Sequence, residues 1–163
     1  MTAPKGYSAR QIRLHWIVTA LIVLQFLLHE PMSEAWDLIE DGQTPSFHWL
    51  VLSHVIGGAL ILIFALWRLA LRATRGVPPP PDAEPPLLRR AAHFGHLALY
   101  ALMIAMPLSG MAAWFGGIEA AAEAHEVMKV ALLALVAAHV LAALWHQLWL
   151  KDGLLLRMKR PLD

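Results

Sequence analysis

AHEVMKVALLALVAAHVLAALWHQLWLKDGLLLRMKR, residues 124–160, places histidines at 125, 139 and 146 in a stretch otherwise made chiefly of Ala, Leu and Val. Those spacings are 14 and 7 residues. At about 100° per residue, such a step of 14 brings a helical side chain back to within roughly 40° of its starting direction and carries it about 21 Å along the axis. His125 and His139 therefore share one face of a predicted helix at two depths. The apolar run Val130 to Leu144 has, with its flanks, the length of a membrane core. It ends in Trp145, His146, Gln147, Trp149 and Lys151, the aromatic and basic mixture of a bilayer surface. The stretch reads as a membrane-spanning helix with imidazoles at two levels.

Composition points to lipid as the solvent. The chain has 163 residues, of which 58% are hydrophobic and 15% charged, and a mean hydropathy of +0.54, outside the range of ordinary soluble domains. It has no cysteine. Structural disulfides, Cys-ligated zinc, iron–sulfur clusters and thioether-attached haem are therefore excluded, and any haem is held by coordination alone. The net charge of +1 is informative only in its distribution. No nucleic-acid partner is expected.

From the N-terminus, Lys5, Arg10 and Arg13 precede an apolar run from Leu14 to Leu28 that contains His15. A signal peptide shares this basic-then-apolar order, but no small-residue cleavage site follows. The predicted spans are about 12–29, 47–71, 92–114 and 126–149. Between the first two, Glu30 to Ser46 carries five carboxylates, with Pro31 and Pro45 breaking helix at either end, and reads as a polar, acidic loop. The second span holds His48, His54 and Gly57–Gly58 and closes on Arg68, Arg72 and Arg75. Pro78 to Pro86 forms a stiff extended linker. The third span begins after Arg89 and Arg90, carries His93 and His96, and is expected to kink at Pro107. Gly116 to Ala124 is read as a short loop, and Asp152 to Asp163 as a basic tail.

Lys and Arg fix the predicted orientation. With four spans, 12 of the 13 fall on the side of the termini and the proline linker, and Lys129 alone on the other. The positive-inside rule places both termini in the cytoplasm and the acidic segments outside. The expected fold is all-α, an integral membrane four-helix bundle of up-down-up-down topology, with residues 1–163 as one domain.

This topology sorts the histidines by depth. His54 and His125 fall at an outer level, His15 and His139 at an inner one, and each level takes one imidazole from each of two helices. A bis-histidine b haem needs that arrangement, because two neutral axial nitrogens must approach the iron from opposite faces of a flat ring. His29 and His48 read as interfacial residues. His93 and His96, next to Arg89 and Arg90, are candidates to meet haem propionates or line a quinone pocket, and Lys129 to neutralise a propionate or draw an anion. Gly57 and Gly58 allow close approach of a macrocycle or a neighbouring helix. His146, Trp145, Trp149, Arg68 and Arg72 gather at the cytoplasmic end as quinone candidates, offering a stacking surface, a proton donor and positive charge. No residue is assigned a catalytic role.

The strings IRLHW at 12–16, LSHVIGG at 52–58, ALWRLALR at 65–72 and AAHFGHLALYALMIAMPLSG at 91–110, together with the opening stretch, resemble the bacterial cytochrome b561 family across nearly the whole chain. The resemblance implies a multi-pass protein of the bacterial inner membrane. It would carry two b haems on His15, His54, His125 and His139 and pass electrons between the periplasmic side and ubiquinone, with His146 beside the quinone. It also implies superoxide oxidation as an activity. The charge pattern departs from this, since Glu30–Ser46 and Gly116–Lys129 together hold eight acids against one base, a field that repels an anion. A redox protein is the other candidate donor. Two further functions use the same residues: a haem b membrane anchor for a larger redox enzyme, and a haem-free transporter with a histidine relay.

Overall fold

The computed structural model describes residues 4–81 and 84–162. Helix α1 spans Ala9–Leu27. Ser8 and Gln11 cap it reciprocally, the Gln11 N–H donating to Ser8 Oγ (3.2 Å) and the Ser8 N–H to Gln11 Oε1 (2.9 Å). The Gln11 amide then donates to the Gly76 carbonyl at 3.0 Å, tying the start of α1 to the end of α3, Trp49–Arg75. Helix α4 is Pro86–Gly116 and α5 is Glu119–Trp145. A π-helical turn, His146–Leu150, extends α5, and Lys151 ends it in the left-handed region (φ 51°) before a 3-10 turn at Leu154–Met158.

Three sequence expectations change. Glu30–Glu40 is not loop but an amphipathic helix, α2, bent 55° from α1. Pro31 does not break it, because a proline in the first turn lacks only an N–H that would be unpaired there anyway. The expected loop 116–124 contracts to Gly117 and Ile118, with Gly117 (φ 63°) closing α4. The third helix starts at Pro86, ahead of Arg89, for the same reason that α2 tolerates Pro31. Helix α4 runs through Pro107, which is buried.

Helices α1 and α3, α3 and α4, and α4 and α5 pack in succession, and α2 lies on α3. Contacts near both ends of the helices show the pairs to be antiparallel: Gln25 of α1 meets the start of α3 and Gln11 meets its end. The packed core, Val18, Ile22, Ile61, Ala65 and Met103, sits at mid-height. Large apolar side chains such as Leu27, Val127, Val130, Leu141 and Trp149 face outward, a surface that lipid and not water solvates. Helices α3, α4 and α5 with its π turn are each long and apolar enough to cross a membrane, and α1 with α2 makes a fourth crossing if the bent pair is one span.

Candidate functional site

The mid-height core separates two histidine levels. At the α2 end, His54 of α3 faces His125 of α5 with ring centroids 6.5 Å apart. At the end bearing the tail, His15 of α1 faces His139 of α5 at 6.2 Å. A metal held about 2.0 Å from one nitrogen of each of two opposed imidazoles sets their centroids about 6.3 Å apart. Both pairs stand near that separation.

At the α2 level, His125 Nδ1 lies 2.9 Å from the Met106 carbonyl and 3.2 Å from Ser109 Oγ. Donation to the carbonyl puts the proton on Nδ1 and leaves Nε2 with a free lone pair. Gly110 admits this ring, since a Cβ there would come 3.1 Å from His125 Cε1. Gly57 and Gly58, adjacent in sequence, do different things. A Cβ at Gly57 would overlap the Gln25 amide (2.0 Å), which donates to the His54 carbonyl at 3.1 Å, whereas Gly58 opens on empty space. Among the described residues, His54 Nδ1 and Gln25 Oε1 are buried with no hydrogen-bond partner. Beside them a cavity of about 440 Å³ reaches from His54, Gly58, Gly110 and His125 to Trp36 of α2. Asp37, Glu40, Glu123 and Glu126 line it too, and Lys129 is ion-paired with Glu126.

The tail level has the opposite charge. Arg68 Nη2 donates to His15 Nδ1 at 3.2 Å, and its guanidinium lies over the Tyr100 ring, 5.7 Å from the centroid. His96, donating from Nδ1 to the Ala92 carbonyl (2.7 Å), brings a third imidazole 5.4 Å from His139. Arg72 lies within electrostatic range of His96 and Tyr7. Partial burial pushes the Tyr7 phenol above its ordinary value, against the pull of Arg72, Arg157 and Arg68.

Residues 6–161 match the prokaryotic cytochrome b561 family. The chain belongs to that family. It is 37% identical over 163 residues to a cytochrome b562 of Cereibacter sphaeroides, covering 99% of each chain. It is also 31% identical over 178 residues to a probable superoxide oxidase, CybB, of Yersinia pestis, covering 94% of this chain and 96% of that one. As a cytochrome b561, it is a multi-pass bacterial membrane protein that uses b-type haem in electron transfer.

The residues fit such a haem. The α2 level combines the ring separation of a doubly ligated iron, an imidazole whose tautomer presents Nε2, and an adjoining cavity of about 440 Å³. Without cysteine, no thioether anchors it. The tail level repeats the ring separation, but Arg68 donating to Nδ1 leaves the proton of a neutral His15 on Nε2. Ligation through Nε2 therefore requires the guanidinium to move off the ring.

The five quinone candidates of this cytochrome b561 do not form one group. Trp145 and Trp149 stack at 5.2 Å on the outer surface, 52% and 72% exposed. Arg68 and Arg72 join the tail-level histidines. His146 is buried, its Nδ1 donating to Asp152 Oδ2 at 2.5 Å and its Nε2 lying 3.9 Å from Glu84 Oε1. Burial of the Asp152 carboxyl pushes its pKa up, but hydrogen bonds from His146 and the Leu154 N–H, with the Arg157 charge, hold it below the ordinary carboxylate value. His93 stands exposed, edge-on to Phe94. Sequence reasoning missed Gln25, Gly110, Glu84 and the His146–Asp152 pair. Asp152 was visible within the KDGLLLRM string, whereas Glu84 lies in a proline-rich linker that carries no local signal.

Proposed function

We propose that this cytochrome b561 holds two b haems, one on His54 and His125 and one on His15 and His139. In this reading it passes electrons from a donor at the α2 end to ubiquinone at the tail end. The observation that carries this is the pair of imidazole–imidazole separations, 6.5 and 6.2 Å, built on two levels of one helix, α5. Held there, the haems supply one-electron carriers at two depths of the membrane. Arg68, Arg72 and His96 provide positive or hydrogen-bonding partners for propionates at the tail level, and Met106 and Ser109 orient His125. The distribution of Lys and Arg favours a cytoplasmic tail end in the inner membrane. Redox-titrated visible spectra of the single variants test the pairing. Alanine at 54 or 125 removes one b-haem signal and alanine at 15 or 139 the other; a shared loss for His15 and His125 variants would overturn it.

For the donor, likeness to a probable superoxide oxidase supports superoxide. The α2 end offers that anion little help, because its single cation, Lys129, is already paired with Glu126. Stopped-flow reduction of the haems by superoxide tests this donor, and absence of superoxide-dependent reduction would reject it in favour of a neutral or cationic reductant.

A further inference from the structure

Reduction of a quinone to a quinol takes two electrons and two protons, and two O–H bonds form. In the reading above the electrons come from the donor at the α2 end, so the protons must reach the quinone from water at the tail end. Hydrocarbon supplies none, and titratable side chains have to carry them. The tail end has two carboxylates among the described residues, Glu84 and Asp152, and both lie against one imidazole, His146. The chain builds this array from three separate segments. The proline linker brings Glu84, whose side chain is 9% exposed, the π turn brings His146, 8% exposed, and the left-handed Lys151 turns the chain back to bring Asp152. A π turn at the end of a long helix costs regular hydrogen bonding and commonly marks a functional position.

We propose that Glu84, His146 and Asp152 form a proton-loading site for quinone reduction, an inference that rests on the quinone reading above. Asp152 accepts from His146 Nδ1 and, through Oδ1, from the Leu154 N–H at 3.0 Å. That fixes the imidazole and leaves Nε2 as the atom that takes and gives the proton, toward Glu84 at 3.9 Å. Glu84 and Asp152 thus bracket the imidazole, one facing each ring nitrogen. Each proton given up to a quinone oxygen is replaced from solvent, so the array returns to its starting state. The same contacts also help lace the tail to the bundle, alongside Trp16 Nε1 donating to the Met158 carbonyl (2.8 Å) and Arg157 to the Pro79 carbonyl (2.7 Å). Lacing through Asp152 is lost only in acid, below the range assayed, so a purely lacing role slows oxidation by one factor across that range, and the experiment turns on that difference.

The full haem-loaded chain in lipid nanodiscs is reduced and mixed with decyl-ubiquinone, and haem oxidation is followed from about pH 6 to pH 9. Glu84→Gln and Asp152→Asn should keep both haem spectra yet slow oxidation about tenfold or more at the alkaline end, where protons are scarce, with partial recovery at the acidic end. Glu84→Asp should restore the wild-type profile. Wild-type rates and pH dependence in both amide variants would overturn the proposal. So would slowing by one constant factor at every pH, which marks a lacing role alone. A wild-type protein whose haems decyl-ubiquinone does not oxidise at all would overturn the quinone reading itself, an outcome visible before any variant is made.

Discussion

The α2 level and the tail level use the same pair of residue types at nearly the same separation, yet their surroundings are opposite. His54 and His125 sit beneath acids, with the one nearby cation already paired, and are held by a backbone carbonyl and by glycines that leave room. His15 and His139 sit among Arg68, Arg72, His96 and Tyr100. The imidazole pairs themselves therefore do not distinguish the two levels; the field around them does. Negative charge disfavours an added electron and positive charge favours it, so two haems held as proposed would differ in potential, with electron flow downhill from the α2 end to the tail end.

Removing an imidazole breaks the comparison outright. Alanine at His54 or His125 should abolish haem at the α2 level and leave the tail level loaded, and alanine at His15 or His139 should do the reverse, read as loss of one of two b-haem signals. Arg68→Met tests the gradient. It should lower the potential of the tail-level haem by about 60 mV, equivalent to roughly 1.4 kcal/mol for one electron, and leave the other haem unmoved in a redox titration. An equal shift of both haems would show that Arg68 acts on the whole fold and not on one level.

A smaller effect concerns approach from outside. Charges at the acidic rim are screened beyond about 8 Å at physiological salt, so haem reduction by superoxide should speed up a few-fold as salt is raised from low ionic strength. A rate that falls with salt would reveal attractive steering and erase the electrostatic contrast between the two ends. The smallest expected effect belongs to Asp152, whose carboxyl is held below its unfolded value of 3.8 by His146, Leu154 and Arg157 despite the upward push of burial. A depressed folded pKa contributes stability at neutral pH and loses it as pH falls through the folded value. Asp152→Asn should therefore lower Tm slightly near neutrality and converge on the wild type once pH falls below the folded value; a Tm difference that persists unchanged in acid would assign the residue a packing role.

The helices and the histidine levels were legible in the sequence, because both depend on local periodicity. An apolar run of membrane length must satisfy its backbone internally, and a spacing of 14 returns one helical face at two depths whatever lies around it. The acidic segment was misread because two prolines and five carboxylates resemble a loop. Its apolar positions, Met32, Ala35, Trp36 and Ile39, become a helical face only when α3 is there to receive them.

The sequence by itself determined that this chain is helical, lipid-solvated and free of thiol chemistry, and that its imidazoles lie at two levels. Only the tertiary structure decided which groups surround each level. Arg68 reaches His15 across 53 positions, and His125 reaches the Met106 carbonyl of another helix across 19. Glu84 reaches His146 from a linker with no periodicity at all. Contacts of this kind follow from how the helices and connections come together in space, and no local pattern records them.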